Sequence, residues 1–202
     1  EDGQNILKSY SSYYPKKPHN GFFVPDNVRQ EIKDAYTDNP SVVTDQVSQD
    51  MVINPVKITD EDVSIHEYRE IYWWLLANRT HPITREPVAL EVGQDPDDVL
   101  VLDEVKRQAI KELLKTWLHE NMHEKLVDIV QDQDGIDFLL AFYDTVQNLI
   151  THQGLNTVIA EGPHKGCSAL ICLANSDSGK QLLKDDEVLR GKITKEALNA
   201  VI

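Results

Sequence analysis

The sequence predicts an α+β domain followed by an all-α helical module. Between residue 40 and about residue 100, short β-branched segments and proline-containing loops surround a single stretch with helical periodicity. A long helical periodicity then begins at Asp103, and the rest of the chain has no strand pattern. We therefore divide the sequence into an N-terminal arm (1–38), an α+β domain (39–122) and a helical module (123–202).

The chain is strongly acidic, and this limits its partners. Among 202 residues, 34 are acidic and 20 are basic, which gives a formal net charge of −14. Such a field repels phosphate groups and argues against nucleic-acid binding and against electrostatic attraction to anionic membranes. The only cysteines are Cys167 and Cys172, so we expect a reducing compartment and no disulfide framework. No apolar run approaches the ~20 residues that span a bilayer, and the first residues do not resemble a signal peptide.

The N-terminal arm combines prolines with aromatic residues, which predicts an arm that lies on another surface. The aromatic residues are Tyr10, Tyr13, Tyr14, Phe22 and Phe23. A short helix is predicted over 28–36, and Asp38-Asn39-Pro40 ends it because proline disfavours the helical conformation of the residue before it.

The α+β domain contains one predicted strand on each side of a helix. Residues 51–58 are β-branched and predict the first strand, and 99–102 predict the second. Apolar residues recur at helical spacing over 66–78. The segment 80–87 is predicted to be a loop, since its two prolines disfavour both a helix and a central strand.

A helix is predicted from Asp103, as its N-cap, to about Val130. The residues expected on its buried side are Val105, Ala109, Ile110, Leu113, Leu114, Trp117 and Leu118. The helical module then shows a weak internal repeat, in which residues 135–142 match 166–173 and pairs further along match at offsets of 31 to 34 residues. That period is typical of stacked helix-turn-helix units.

Three blocks of the α+β domain together resemble a U-box, the zinc-free relative of the RING domain in E3 ubiquitin ligases. Val47 stands at the aliphatic position of the first U-box loop, and Pro55-Val56 matches the Pro-Val pair that follows. Ile71, Trp74 and Leu75 match the central helix. Residues 81–88, His-Pro-Ile-Thr-Arg-Glu-Pro-Val, match the second loop almost completely. The resemblance covers about 80 residues.

The sequence also departs from the U-box pattern at several positions. Gln46 replaces the proline of the first loop, the Gly-x-x-Tyr turn is absent around 60–65, and Leu102-Asp103 replaces Pro-Asn. This divergence, with the helical tail, is similar to U-box effectors that intracellular bacteria of the Legionella type secrete into host cells. The resemblance implies a secreted effector in the host cytosol or on a host endomembrane, such as the Golgi.

The resemblance implies a scaffold mechanism with neither a metal nor another cofactor. The partners would be a ubiquitin-charged E2 enzyme and a host protein substrate. The implied E2-binding residues are Val47, Gln49, Trp74, Pro82 and Ile83. Arg85 matches the arginine that bridges E2 and ubiquitin and is the implied catalytic residue. Hydrogen bonds and salt bridges would replace the zinc ions of RING domains, and the candidate residues are Asp45, Thr84, Arg85 and Asp103.

Simpler interpretations of these residues remain open. Pro82 and Pro87 taken alone would only shape a loop, and Trp74 or Val47 would be core residues. Arg85 would form a structural salt bridge. The domain would then be an inactive, U-box-like protein-binding module.

The stretch His119-Glu120-Asn121-Met122-His123 has the H-E-x-x-H form of zinc proteases and predicts a remote alternative. Two histidines one helical turn apart would bind zinc, and Glu120 would activate water. A third ligand would have to come from a downstream acid such as Asp144. An exposed end of a helix is the favoured interpretation of this stretch.

Both cysteines are candidates for lipid attachment. Cys167 and Cys172 lie near the start of an amphipathic stretch, 167–173, and free cysteines are usually small core residues. The effector resemblance implies S-acylation of one of them, with Cys172 preferred. A single acyl chain gives marginal anchoring, so the apolar face of the helix would have to contact the host membrane as well.

Overall fold

The computed structural model describes residues 21–59, 62–185 and 191. These residues form two compact units, whose division falls between Lys111 and Glu112. Of the described residues, the first unit contains Phe22 and Arg29–Lys111, and the second contains Phe23–Val28 and those from Glu112 onward. One helix runs through both this division and the boundary that we predicted between 122 and 123.

The described residues combine helices with a small antiparallel sheet, and the predicted α+β class is confirmed. The helices are α1 (Asp26–Ala35), α2 (Tyr68–Asn78), α3 (Glu104–Ile129), α4 (Gln133–Ala141), α5 (Tyr143–Val146), α6 (His152–Asn156), α7 (Ala169–Asn175) and α8 (Asp177–Asp185). The strands are β1 (Pro55–Lys57), β2 (His66–Glu67) and β3 (Val101–Leu102), and Pro96–Asp98 forms one 3-10 turn.

The sheet of unit one has the order β2-β1-β3, and both pairs are antiparallel. Val56 is opposite His66 on one side and Leu102 on the other. The strand predicted over 51–58 is therefore right only at its end. Residues 53 and 54 lack a strand partner because the Glu67 carboxylate accepts both of their backbone N–H groups, at 2.6 and 3.0 Å.

Helix α2 covers the sheet with one apolar side. Tyr68, Ile71, Tyr72 and Leu75 are buried together with Val56, Ile58 and Leu90. Each large apolar side chain that is buried in this way contributes roughly 1.5–3 kcal/mol to folding. The helix begins two residues later than predicted, because His66 and Glu67 pair with β1. It ends at Arg79, which adopts a left-handed backbone with φ of 53° and donates its N–H to Leu75.

The N-terminal arm reaches unit one at Phe22, which is buried. Its backbone N–H donates to Asn54 Oδ1 at 3.2 Å, and Asn54 Nδ2 donates to its carbonyl at 2.9 Å. Phe22 thus packs within unit one, and the position of the rest of the arm stays a prediction. Tyr10, Tyr13 and Tyr14 lie outside the described residues.

Helix α3 begins where the sequence predicts, after Asp103. The carboxylate of Asp103 accepts the backbone N–H of Lys106 at 2.9 Å, as an N-cap does. The predicted buried side is wrong at Val105, which is 82% exposed. At 100° per residue, Val105 lies about 140° around the helix from the buried Ile110, which places it outside the apolar stripe.

The predicted repeat of unit two is present only in its first helices, α4 and α7. Helix α4 is followed by the single turn of α5, whereas α7 is followed by the longer α8. The repeated glycines also have different roles, since Gly135 lies inside α4 and Gly166 precedes α7 with φ of 88°. The last pair of the repeat, 192–193, lies outside the described residues. No helix in the described ranges is long and apolar enough to cross a membrane.

Candidate functional site

Two loops of unit one have the same backbone structure. We call residues 44–51 loop one and residues 80–87 loop two; an isolated antiparallel bridge joins the first and last residues of each. In each loop the second residue donates its N–H to the carbonyl of the seventh at 2.8 Å, Asp45 to Asp50 and His81 to Glu86. The same residue accepts the N–H of the sixth residue at 2.9 Å through its carbonyl.

A polar side chain holds each loop from inside. Asp45 Oδ1 accepts the backbone N–H groups of the fourth and fifth residues of loop one, both at 2.8 Å. His81 Nδ1 accepts the corresponding groups of loop two, both at 3.2 Å. The hydroxyl of the fifth residue, Ser48 or Thr84, then accepts the N–H of the seventh at 3.3 Å. The two loops therefore use the same hydrogen bonds with different acceptors.

The sixth residue of each loop adopts a left-handed backbone. The φ angle is 64° at Gln49 and 65° at Arg85. A residue with a Cβ atom adopts this conformation at a cost of roughly 1–2 kcal/mol, so the surrounding hydrogen bonds must impose it. Both side chains are exposed. By the same equivalence, Val47 and Ile83 are both the fourth residue of their loop.

Trp74 connects helix α2 to loop two. Its indole N–H donates to the carbonyl of Thr80 at 2.8 Å, and the Arg85 guanidinium lies over its ring, 4.7 Å from the centroid. A cation at this distance is attracted by the negative face of the indole, which contributes about 0.5–1 kcal/mol at an exposed site. Arg85 is thus held in place by a ring contact in addition to the left-handed backbone.

Strand β2 links the two loops. Asp45 Oδ2 accepts the backbone N–H of Glu67 at 3.0 Å and lies 3.4 Å from His66 Nδ1. The His66 ring meets the His81 ring edge-on, with 5.7 Å between the centroids. Burial raises the pKa of the Asp45 carboxyl, but the neighbouring His66 ring and the N–H groups of Ser48, Glu67 and Val47 outweigh this and hold the pKa below its usual value. Asp45 is therefore ionised at neutral pH.

The five predicted E2-binding residues and the predicted catalytic residue, Arg85, differ in exposure. Gln49 and Arg85 are exposed, Ile83 is 43% exposed, and Val47 and Trp74 are half-buried. Pro82 is buried, so its ring supports loop two and offers little surface to a partner. All six residues belong to the two loops or to α2, within unit one.

Three of the four residues that we expected to replace the zinc ions make side-chain hydrogen bonds, and their role in place of zinc stays a prediction. Asp45 and Thr84 each hold their own loop, and Asp103 caps α3 and lies 3.8 Å from Lys57 Nζ. Arg85 contributes its contact with the Trp74 ring.

The H-E-x-x-H stretch lies on helix α3, with His119, Glu120 and His123 exposed. Within the described ranges, the three-residue cluster with metal-binding geometry is a different one, composed of Asp62, His66 and His81. The structure therefore does not bring Asp144 to His119 and His123 as a third ligand.

The candidate lipidation residues differ in access. Cys172 is buried and 7% exposed, whereas Cys167 is half-buried. Burial, followed by the proximity of Cys167, raises the pKa of the Cys172 thiol. Ala169, Leu170 and Leu173, the apolar residues of α7 that we expected to contact a membrane, are buried within unit two. Acylation at either cysteine stays a prediction.

Sequence reasoning missed both the equivalence of the loops and the Asp62–His66–His81 cluster. A comparison of the two segments at an offset of 36 residues reveals the first, because Thr-Asp-x-Val-Ser-Gln-Asp aligns with Thr-His-x-Ile-Thr-Arg-Glu. The cluster gives no local signal, since its histidines are 15 residues apart.

Comparisons with protein-family models, curated proteins and solved structures find no match for this chain.

Proposed function

We propose that this chain is an E3 ubiquitin ligase of the U-box type, which binds a ubiquitin-charged E2 enzyme through loops one and two and helix α2. The observation that carries the proposal is the pair of equivalent loops, which present Val47 with Gln49 and Ile83 with Arg85. A U-box binds its E2 through two such loops and the helix between them. Hydrogen bonds from Asp45 and His81 hold the loops here.

The E2 surface combines a small apolar contact with a fixed geometry. Ile83 and Val47 supply aliphatic groups, and Trp74 supplies part of an indole ring. Interfaces of this kind obtain affinity from a few apolar anchors, and rigid loops lower the ordering cost of association. Pro82 contributes to that rigidity from its buried position in loop two.

Arg85 has the catalytic role in this proposal. Its guanidinium has five N–H donors in a planar fork, so it can donate to carbonyl groups of E2 and ubiquitin together. The contact with Trp74 and the left-handed backbone limit its positions before the partners arrive. Holding the thioester in an attack-ready geometry accelerates transfer to a substrate lysine, and the chain itself forms no covalent intermediate.

The direct test mixes the purified chain with E1, a panel of E2 enzymes, ubiquitin and ATP. Polyubiquitin is expected with at least one E2. Arg85→Ala should abolish most of the product while E2 binding falls less, and Ile83→Ala should weaken E2 binding. Val92→Ala is the matched control, because Val92 is an aliphatic residue of unit one that is 85% exposed and lies outside both loops.

Equal product from all three variants would refute the assigned surface. No product with any E2, from a folded chain, would refute an active ligase, and E2 binding without product would identify an inactive binding module. The host substrate, the secreted origin and a host-membrane location remain predictions from the resemblance.

A further inference from the structure

Three metal-binding side chains meet where loop two contacts strand β2. One ligand atom from each of Asp62, His66 and His81 lies within 4.8 Å of the other two. The distance between His81 Nε2 and Asp62 Oδ2 is 3.2 Å. Zinc bonds of about 2.0–2.1 Å in a tetrahedral arrangement separate neighbouring ligand atoms by about 3.3 Å. One edge of a metal site is therefore already formed, and the other two edges need to shorten by about 1.5 Å or less.

His66 gives an independent indication of a missing ligand. Its side chain is fully buried, and among the described residues its Nε2 has no hydrogen-bond partner. Buried polar groups are nearly always satisfied, so an imidazole in this state indicates an unfilled interaction. Its Nδ1 faces Asp45 Oδ2 at 3.4 Å, which leaves Nε2 to bind a metal. A carboxylate behind a metal-bound histidine is the usual device that orients the ring.

The ligand set suits a borderline divalent cation. Asp62 Oδ1 accepts the backbone N–H of Ser64 at 2.8 Å, and Oδ2 accepts that of Ile58 at 3.4 Å and lies 3.2 Å from His81 Nε2. Two imidazoles and one carboxylate bind Zn²⁺ and its neighbours in the first transition row. Three protein ligands leave a fourth position for water.

We propose that Asp62, His66 and His81 form a binding site for a divalent transition metal, with Zn²⁺ as the expected ion, and that its occupancy is coupled to the conformation of loop two. The coupling follows from the tautomer of His81. Its Nδ1 accepts two N–H groups of loop two, so its proton is on Nε2, directed at Asp62. A metal on Nε2 requires the proton on Nδ1, where it opposes those two donors.

The metal site is tested on the full chain after treatment with a chelator. Co²⁺ is titrated first, because its visible absorption reports tetrahedral nitrogen and oxygen ligands, and Zn²⁺ is then added to displace it. We expect one ion per chain. His81→Gln and Asp62→Asn should each weaken binding at least tenfold. Thermal melts of both variants verify that they are folded. His66 is not replaced, because it is fully buried and its substitution would disturb the fold.

The matched control is the double variant His119→Gln/His123→Gln, which removes the exposed histidine pair of helix α3. It should bind Co²⁺ as the unchanged chain does. Zn²⁺ should also shift the amide resonances of Ile83 and Thr84, which donate to His81. The proposal is overturned by the absence of saturable binding, by unchanged binding in the two site variants, or by binding that disappears in the control. None of these measurements depends on ubiquitin transfer.

Discussion

Replacing Asp45 by asparagine tests whether loop one depends on a buried carboxylate. Asp45 is fully buried, and its two oxygens accept three backbone N–H groups. Oδ1 accepts those of Val47 and Ser48 at 2.8 Å, and Oδ2 accepts that of Glu67 at 3.0 Å. An asparagine has nearly the same shape but only one oxygen. If that oxygen keeps the two bonds within loop one, its NH₂ group faces the N–H of Glu67, and two donors oppose each other.

The expected cost follows from that single lost acceptor. A hydrogen bond to a charged group contributes about 1.5–3 kcal/mol, and a buried donor without a partner costs about 1–3 kcal/mol. We therefore expect Asp45→Asn to lower the free energy of unfolding by about 2–3 kcal/mol. For a chain of this size, each 1 kcal/mol lowers Tm by roughly 2–4 °C, so the melting temperature should fall by roughly 4–12 °C.

Urea unfolding followed by tryptophan fluorescence measures the change: Trp73 and Trp74 report on unit one, and Trp117 reports on unit two. The control is Asp50→Asn, which removes the same charge from an exposed side chain of the same loop. Surface substitutions of this kind change stability by about 0.5 kcal/mol or less. Equal effects of the two substitutions would show that net charge, and not the hydrogen bonds of Asp45, stabilises loop one.

Three further changes test separate features of the structure. Asp103→Ala should cost about 1 kcal/mol in urea unfolding because it removes the N-cap of α3, whereas Asp103→Asn should cost little; equal costs would exclude capping. Iodoacetamide at pH 8 should alkylate Cys167 well before Cys172, since burial limits access to Cys172 and raises its pKa; mass spectrometry gives the order, and the reverse order would contradict it. Gly135→Ala should destabilise unit two by about 2 kcal/mol or more, because a Cβ would collide with the Ile129 carbonyl and Gly135 lies inside α4; a thermal melt within 2 °C of the unchanged chain would contradict this.

Local signals in the sequence predicted helices α2 and α3 and loop two well. Helix α3 follows a capping aspartate, and α2 has apolar residues at helical spacing, so each element contains its own evidence. The loop at 80–87 follows from two prolines. The end of α2 could not be predicted in the same way. Glycine usually marks a left-handed helix end, but here that position is Arg79.

The sheet and the polar links between the loops depend on residues far apart in the chain. The strand predicted over 51–58 is interrupted because a side chain, that of Glu67, takes the place of a neighbouring strand at residues 53 and 54. No periodicity within the segment reveals such a partner. Val105 was misplaced for a local reason: it is apolar, but its angle on the helix places it outside the buried stripe.

The two loops show that one backbone structure can be held by two kinds of side chain, and this has a consequence for their chemistry. A carboxylate and an imidazole nitrogen share only the ability to accept N–H groups. The equivalence of the two loops is therefore hard to recognise in the sequence at Asp45 and His81. Asp45 and His81 differ in what their second polar atom, the one outside the loop, can bind. Asp45 uses its second oxygen on strand β2, which fixes loop one to the sheet. His81 has a ring nitrogen whose proton depends on its partner, so the hydrogen bonds of loop two respond to whatever Asp62 and His66 bind. Loop two carries Arg85, and a change at His81 therefore acts directly on the residue to which the proposed ligase mechanism assigns catalysis.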